Sequence, residues 1–182
     1  MRDETVLIEQ LINVQTREKA FRELISLYKE RLYWHVRKIV TSHDDTDDVL
    51  QNTFIKIYKN IGKFNQESKL FSWMYRIATN EAITFINKRA KEKKVDIAEV
   101  QEYLVNTLEN DVYFTGEEIQ EILQKAIATL PQKQQLVFNM KYFDNIKYTE
   151  ISEILGTSVG ALKASYFHAV KKIESYIKNK LN

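Results

Sequence analysis

Five polar side chains recur along one run of the chain: Arg76, Asn80, Thr84, Asn87 and Lys88, at spacings of four, four, three and one. On a helix these positions share a face. Amides and a hydroxyl flanked by Arg and Lys can hydrogen-bond base edges and neutralise phosphates, so the stripe suits a nucleic-acid strand. Just upstream, Phe64-Asn65-Gln66-Glu67-Ser68 reads as a polar loop whose small and amide side chains suit a pocket for an unpaired base. Tyr75 and Asn80 are expected as its wall, and Phe64, Phe71 and Tyr75 supply rings against which an unstacked base could lie. Each ring also has a plainer reading, as core of a small domain.

A second constellation lies near the C-terminus. Tyr148 to Leu155, then Gly156, Ser158 and a run from Val159, read as a short helix, a glycine turn, a Ser N-cap and a second helix, the helix-turn-helix order. The second helix has a core face of Val159, Leu162, Tyr166, Ala169 or Val170, Ile173 and Ile177. Opposite stand Ala161, Ala164, Ser165, His168, Lys171 and Lys172, with Ser158 and Lys163 beside them. Small residues at its start would let the helix sit deep in a major groove, and lysines further along would meet phosphates. A third group, Asp47, Asp48 and Gln51, lies on one side of its helix, away from Leu50 and Phe54. Carboxylates complement a helix N-terminus, but four acids within five residues (Asp44, Asp45, Asp47, Asp48) exceed what a cap needs and suit a basic protein partner.

Other chemistries are not supported. The chain of 182 residues has no cysteine, which removes disulfides and thiolate metal sites. His35, His43 and His168 share no metal-ligand spacing, and no metal site or cofactor is expected. Neither a glycine-rich phosphate loop nor a nucleophile–base arrangement can be picked out, so no enzymatic activity is expected. The first residues, MRDETVLIEQ, do not read as a signal peptide. No segment approaches roughly 18 uninterrupted apolar residues, so membrane insertion is not expected and a cytoplasmic protein is. Net charge is only +2, yet the signs are segregated: acids at 44–48 and 96–121, bases at 88–94 and 163–180. Such a chain offers different partners different faces.

Four Gly and one Pro argue against a strand-and-turn architecture and for helices. Phe21, Leu24, Leu27, Tyr28, Leu32, Val36 and Ile39 predict a helix over Arg17 to Val40. His43 to Asp47 reads as a polar connector, followed by a helix that ends at Gly62. Another helix is expected over Leu70 to about Arg89, its buried stripe Trp73, Met74, Ile77, Ala82, Phe85 and Ile86. Further helices are expected from Glu117 to Leu130 and from Gln132 to Tyr142, either side of Pro131. The fold class is therefore all-α: an N-terminal helical bundle (residues 1–92) and a C-terminal helix-turn-helix domain (residues 117–182), joined by a linker (residues 93–116).

DDVLQNTFIKIYKNIGKF, followed by FSWMYRIATNEAITFINKRAK, resembles region two of the extracytoplasmic-function (ECF) sigma factors. LPQKQQLVFNMKYFDNIKYTEISEILGTSVGALKASYFHAVKKIE resembles their region four. Two blocks in this order and separation cover nearly the whole chain. The resemblance implies a promoter-specificity subunit. Asp48 and Gln51, with Asp47, would touch the clamp helices of the largest subunit of core RNA polymerase, and region four the flap of the second largest. Phe64, Asn65, Ser68, Tyr75, Arg76, Asn80, Thr84, Asn87 and Lys88 would open and hold the −10 element. Ser158, Ala161, Lys163, Ala164, Ser165, His168, Lys171 and Lys172 would read the −35 duplex. An anti-sigma protein is implied as a further partner. Many relatives carry arginines where this chain has Ser165 and His168, so −35 reading here is expected to lean on phosphates, methyl contacts and duplex shape. The rival readings are a two-domain helix-turn-helix regulator that binds duplex DNA only, and a helical adaptor.

Overall fold

The computed structural model describes residues 4–93 and 118–181. Among them are eight α-helices and no strand: α1 (Glu4–Ile12), α2 (Arg17–Val40), α3 (His43–Asn60), α4 (Leu70–Lys93), α5 (Glu118–Ala128), α6 (Gln132–Tyr142), α7 (Tyr148–Leu155) and α8 (Val159–Leu181). The expected linker, apart from Lys93, lies outside the described residues.

Helices α2 and α6 occupy the spans their periodicity predicts. The boundary between α2 and α3 is sharper than the predicted connector. Thr41 turns left-handed (φ 65°) and Ser42 caps α3, accepting from the Asp45 amide at 3.4 Å, so helix begins at His43 itself. Asp44 and Asp45 then fill the first turn, where carboxylates are favoured.

Gly62 does not end α3 as a left-handed cap. The helix stops at Asn60 and tightens into a 3-10 turn, Ile61–Lys63, and Gly156 is the one glycine with positive φ among the described residues. What Gly62 supplies is room, since a Cβ there would stand 3.2 Å from the Arg17 guanidinium. Arg17 in turn donates to the carbonyls of Leu11 (2.9 Å) and Ile12 (2.8 Å), satisfying the open C-terminus of α1. Helix α1, not foreseen in the sequence, buries Leu7, Ile8 and Leu11 against α2 and the 3-10 turn.

Helix α4 runs one turn further than expected, to Lys93, and is enclosed by α2 and α3 on one side and by α7 on another. Its fully buried residues are therefore Leu70, Ser72, Met74, Tyr75, Ala78, Thr79, Ala82, Ile86 and Ala90, while Trp73, Ile77 and Phe85 are only half-buried. One apolar cluster continues from these into Leu136, Val137 and Met140 of α6, Ile151 and Ile154 of α7, and Leu162 of α8. A second, smaller core joins α5, α6 and α8 through Ala126, Ile127, Leu130, Phe138, Ala169 and Ile173.

Candidate nucleic-acid and partner interfaces

On α3, Asp47, Asp48 and Gln51 are all exposed. Val49, Leu50, Thr53 and Ile57 anchor the opposite face, and the buried Thr53 hydroxyl is satisfied by the Val49 carbonyl at 2.8 Å. Beside Gln51 opens an apolar groove lined by Phe21, Ile25, Phe54, Ile55 and Tyr58. Ile55 is 45% and Tyr58 40% exposed. Tyr58 follows Ile57 on α3 but is not buried with it. Its ring instead meets Phe21 edge-on at 4.9 Å and leaves its other side open. An acidic rim next to exposed apolar side chains is the composition of a protein-docking surface.

The stripe on α4 is intact as a surface: Arg76, Asn80, Thr84, Asn87 and Lys88 are exposed, with the Thr84 hydroxyl turned back onto the Asn80 carbonyl at 2.7 Å. The pocket expected beside it needs correction. Tyr75 is 0% exposed and Phe64 5%, so neither ring can face a base in this conformation. Tyr75 packs on Phe71 (4.2 Å between centroids) and on His35 (4.6 Å), and its hydroxyl donates to the Arg31 carbonyl at 3.2 Å. Burial, reinforced by the charge of Asp144, raises its pKa far above the usual tyrosine value. The Phe64 ring is closed off by half-buried Trp73 at 5.1 Å. What stays accessible around the loop is Asn65, Gln66 and Glu67, with Ser68 half-exposed. Gln66 is left-handed (φ 58°), a strained place for a side chain with a Cβ.

The turn between α7 and α8 has the predicted geometry. Gly156 is left-handed (φ 62°) and closes α7 through its amide to the Ser152 carbonyl at 2.9 Å; Ser158 receives the Ala161 amide at 3.3 Å. Helix α8 buries Leu162, Ala169 and Ile173 and exposes Ser158, Ala161, Lys163, Ala164, His168, Lys171 and Lys172, with Ser165 half-exposed. Phe167 is missing from the sequence reading. It is 57% exposed, and Lys171 Nζ lies over its ring at 5.7 Å. The signal was available, since Phe167 is adjacent to His168 and off the predicted core face.

His35 is buried: its Nε2 lies 2.8 Å from the Thr79 hydroxyl and its Nδ1 3.2 Å from Asp144. The Thr79 hydroxyl also donates to the Tyr75 carbonyl at 2.7 Å. Asp144 also pairs with Lys38. Burial works to raise the Asp144 pKa, but the hydrogen bond and charge of His35, with Lys38, outweigh it and hold the carboxyl below the usual range. No described helix is long and apolar enough to cross a membrane.

Comparison with known proteins agrees with this arrangement. Residues 24–92 match the family model for Sigma-70 region 2, and residues 120–173 that for Sigma-70, region 4. The chain is 31% identical over 155 residues to the ECF RNA polymerase sigma factor SigW of Bacillus subtilis, covering 80% of this chain and 82% of that one. It is 29% identical over 168 residues to the ECF RNA polymerase sigma-E factor of Haemophilus influenzae, covering 88% of each. The fold is similar to that of CnrH in its complex with the cytosolic domain of CnrY (TM-score 0.70, 19% identity, 97% of each chain). It is also similar to RpoE in complex with the anti-sigma factor NepR from Bartonella quintana (TM-score 0.67, 20% identity, 88% of this chain and 98% of that one).

Proposed function

The chain belongs to the ECF RNA polymerase sigma factors, and from that premise we propose how its surfaces divide the work of promoter recognition. As a sigma factor it binds core RNA polymerase and promoter DNA and directs initiation. In our reading residues 1–92 hold the polymerase and the −10 element, and residues 117–182 hold the −35 element. Asp47, Asp48 and Gln51, with the Ile55 and Tyr58 edge of the groove beside them, meet the clamp helices of the largest subunit. The C-terminal domain meets the flap of the second largest. The exposed face of α8, from Ser158 to Lys172, enters the −35 major groove. Its small residues permit close approach, and Lys163, Lys171 and Lys172 neutralise phosphates.

The −10 strand runs along Arg76, Asn80, Thr84, Asn87 and Lys88, with an unpaired base held at Asn65 and Ser68. Unstacking a base costs a few kcal/mol, so a site that holds only the flipped base selects melted DNA. Covalent chemistry is left to the polymerase. The two solved structures named above are complexes, one of them with a named anti-sigma factor; a partner of that class is our expectation here too.

The observation that carries this reading is the pair of exposed polar and basic stripes, one on α4 and one on α8, on two helical units of one chain. It is tested by reconstituting the chain with core polymerase on a promoter found by start-site mapping. Asp48→Lys should weaken polymerase binding with unchanged circular dichroism, and Asn80→Ala should slow promoter melting. Unaltered melting by Asn80→Ala would sink the −10 assignment.

A further inference from the structure

Arg17 joins the end of α1 to the turn that leads into the loop 64–68. A helix leaves its last four carbonyls without partners of its own, and at the end of α1 each is taken. The Asn13 amide donates to Glu9 at 3.1 Å and the Thr16 hydroxyl to Gln10 at 2.8 Å. The Arg17 guanidinium donates to Leu11 at 2.9 Å and to Ile12 at 2.8 Å. A cation at a helix C-terminus is also favoured by the dipole. The same guanidinium fills the space beside Gly62, where a Cβ would stand 3.2 Å from Nη2. Gly62 lies in the 3-10 turn Ile61–Lys63, and fully buried Ile61 shares a core with Leu7, Ile8 and Leu11 of α1. That turn leads straight into the loop: the Phe64 amide donates to the Ile61 carbonyl at 3.1 Å, and the Phe64 ring is buried. Beyond Phe64 the loop is weakly held. The Glu67 amide reaches Asn65 Oδ1 only at 3.5 Å, and Gln66 is left-handed. The place of Asn65 is therefore set from behind, by the turn and by what the turn rests on.

We infer that Arg17 and Gly62 are positioning residues for −10 base capture: the guanidinium, clamped to the end of α1 and seated against Gly62, fixes the 3-10 turn and through it Asn65 and Ser68. This rests on the assignment of the unpaired base to Asn65 and Ser68 made above. Neither residue needs to touch DNA. Their part is to keep the site formed before the base arrives, because a site that is ordered only on binding holds its ligand more weakly. Gly62 makes the idea separable from stability. Its φ is not positive, so alanine fits the backbone. Among the described residues beyond its chain neighbours, the added Cβ meets the Arg17 guanidinium and nothing else within 4 Å.

The test uses the full chain with core polymerase and a promoter found by start-site mapping, built as a fork whose −10 non-template strand is single. Affinity is measured on the normal strand and on strands made abasic at each −10 position in turn. The readout is the ratio of normal to abasic affinity at the most sensitive position. Misfolded protein lowers both affinities alike, so a merely structural role leaves that ratio unmoved. Wild type should prefer the normal strand, and Asn65→Ala should lose the preference. Arg17→Ala should lower the ratio by roughly tenfold, the worth of about one hydrogen bond to a charged group, with affinity for core polymerase unchanged. Gly62→Ala should lower it by less, while its urea midpoint stays at or above wild type because alanine restricts the unfolded chain. In the Gly62→Ala background Arg17→Ala should add less than it does alone, since both act through one contact. An unchanged ratio in Gly62→Ala, or in a folded Arg17→Ala chain, overturns this proposal alone if Asn65→Ala still loses the preference. No base preference in wild type, or its persistence in Asn65→Ala, removes the −10 assignment and this proposal with it.

Discussion

Tyr75 separates two roles that its position leaves open, base-pocket wall or core ring. The structure makes it core: 0% exposed, its ring tilted against those of Phe71 and His35, with its hydroxyl on the Arg31 carbonyl. Removing a buried aromatic ring costs about 3–5 kcal/mol. That is a large share of the ~5–15 kcal/mol that hold a typical domain folded. Tyr75→Phe keeps the ring and loses one neutral hydrogen bond, worth about 1 kcal/mol. Urea unfolding followed by circular dichroism should therefore show Tyr75→Ala severely destabilised and Tyr75→Phe near wild type. Permanganate footprinting of unpaired thymines, with core polymerase, should show the Phe variant melting promoter normally. A stable Tyr75→Phe chain that no longer melts DNA would refute the reasoning, as would Tyr75→Ala unfolding within 1 kcal/mol of wild type.

Stability should fall at both pH extremes. Asp144, whose pKa lies below the ordinary 3.8 in the folded chain, contributes fully above that value and is lost as acid takes the pH below it. Tyr75, whose pKa is raised from 10.0, binds its proton more tightly folded than unfolded, so stability declines as pH rises past 10.0. Urea midpoints across pH check both limbs, and a flat acid limb in Asp144→Asn identifies its source. Gln66→Gly should stabilise the chain by about 1 kcal/mol in a thermal melt, because glycine relieves the left-handed strain. Gly156→Ala should cost about 1 kcal/mol for the converse reason, although a Cβ there meets nothing within 4 Å. Lys171→Ala should weaken −35 duplex binding across sequences and reduce the salt slope by about one, measured by fluorescence anisotropy at several salt concentrations. A change in base preference instead would mean that Lys171 reads the groove.

Where apolar spacing or a breaker residue marks the ends of a helix, the sequence was legible. The spans of α2 and α6 and the glycine turn before α8 follow from apolar period, proline and glycine placement, and local cap chemistry. The exposed faces of α3 and α8 follow likewise, because their polar positions oppose a single buried stripe. Helix α4 resisted this logic. It is packed by α2, α3 and α7 together, so most of its circumference is buried and no single period marks which aromatic faces inward. That is why Tyr75, expected at the pocket wall, is fully buried, while Trp73, expected in the core, packs against it only half-buried. Gly62 failed for a related reason: the spacing suits a helix cap, but the group needing space there is Arg17, 45 positions away in the chain.

Family, helix content and the three polar stripes were determined by the sequence itself, because periodic pattern and short-range caps are local quantities. Only the tertiary structure decided which groups are free to act. Arg76 looks like an open cation in the sequence, yet it lies on the Glu153 carbonyl; His35 looks like a stray imidazole, yet it bridges Thr79 to Asp144. Those pairings join residues 77 and 109 positions apart. They are set by how two helical domains stack, and no local pattern encodes that.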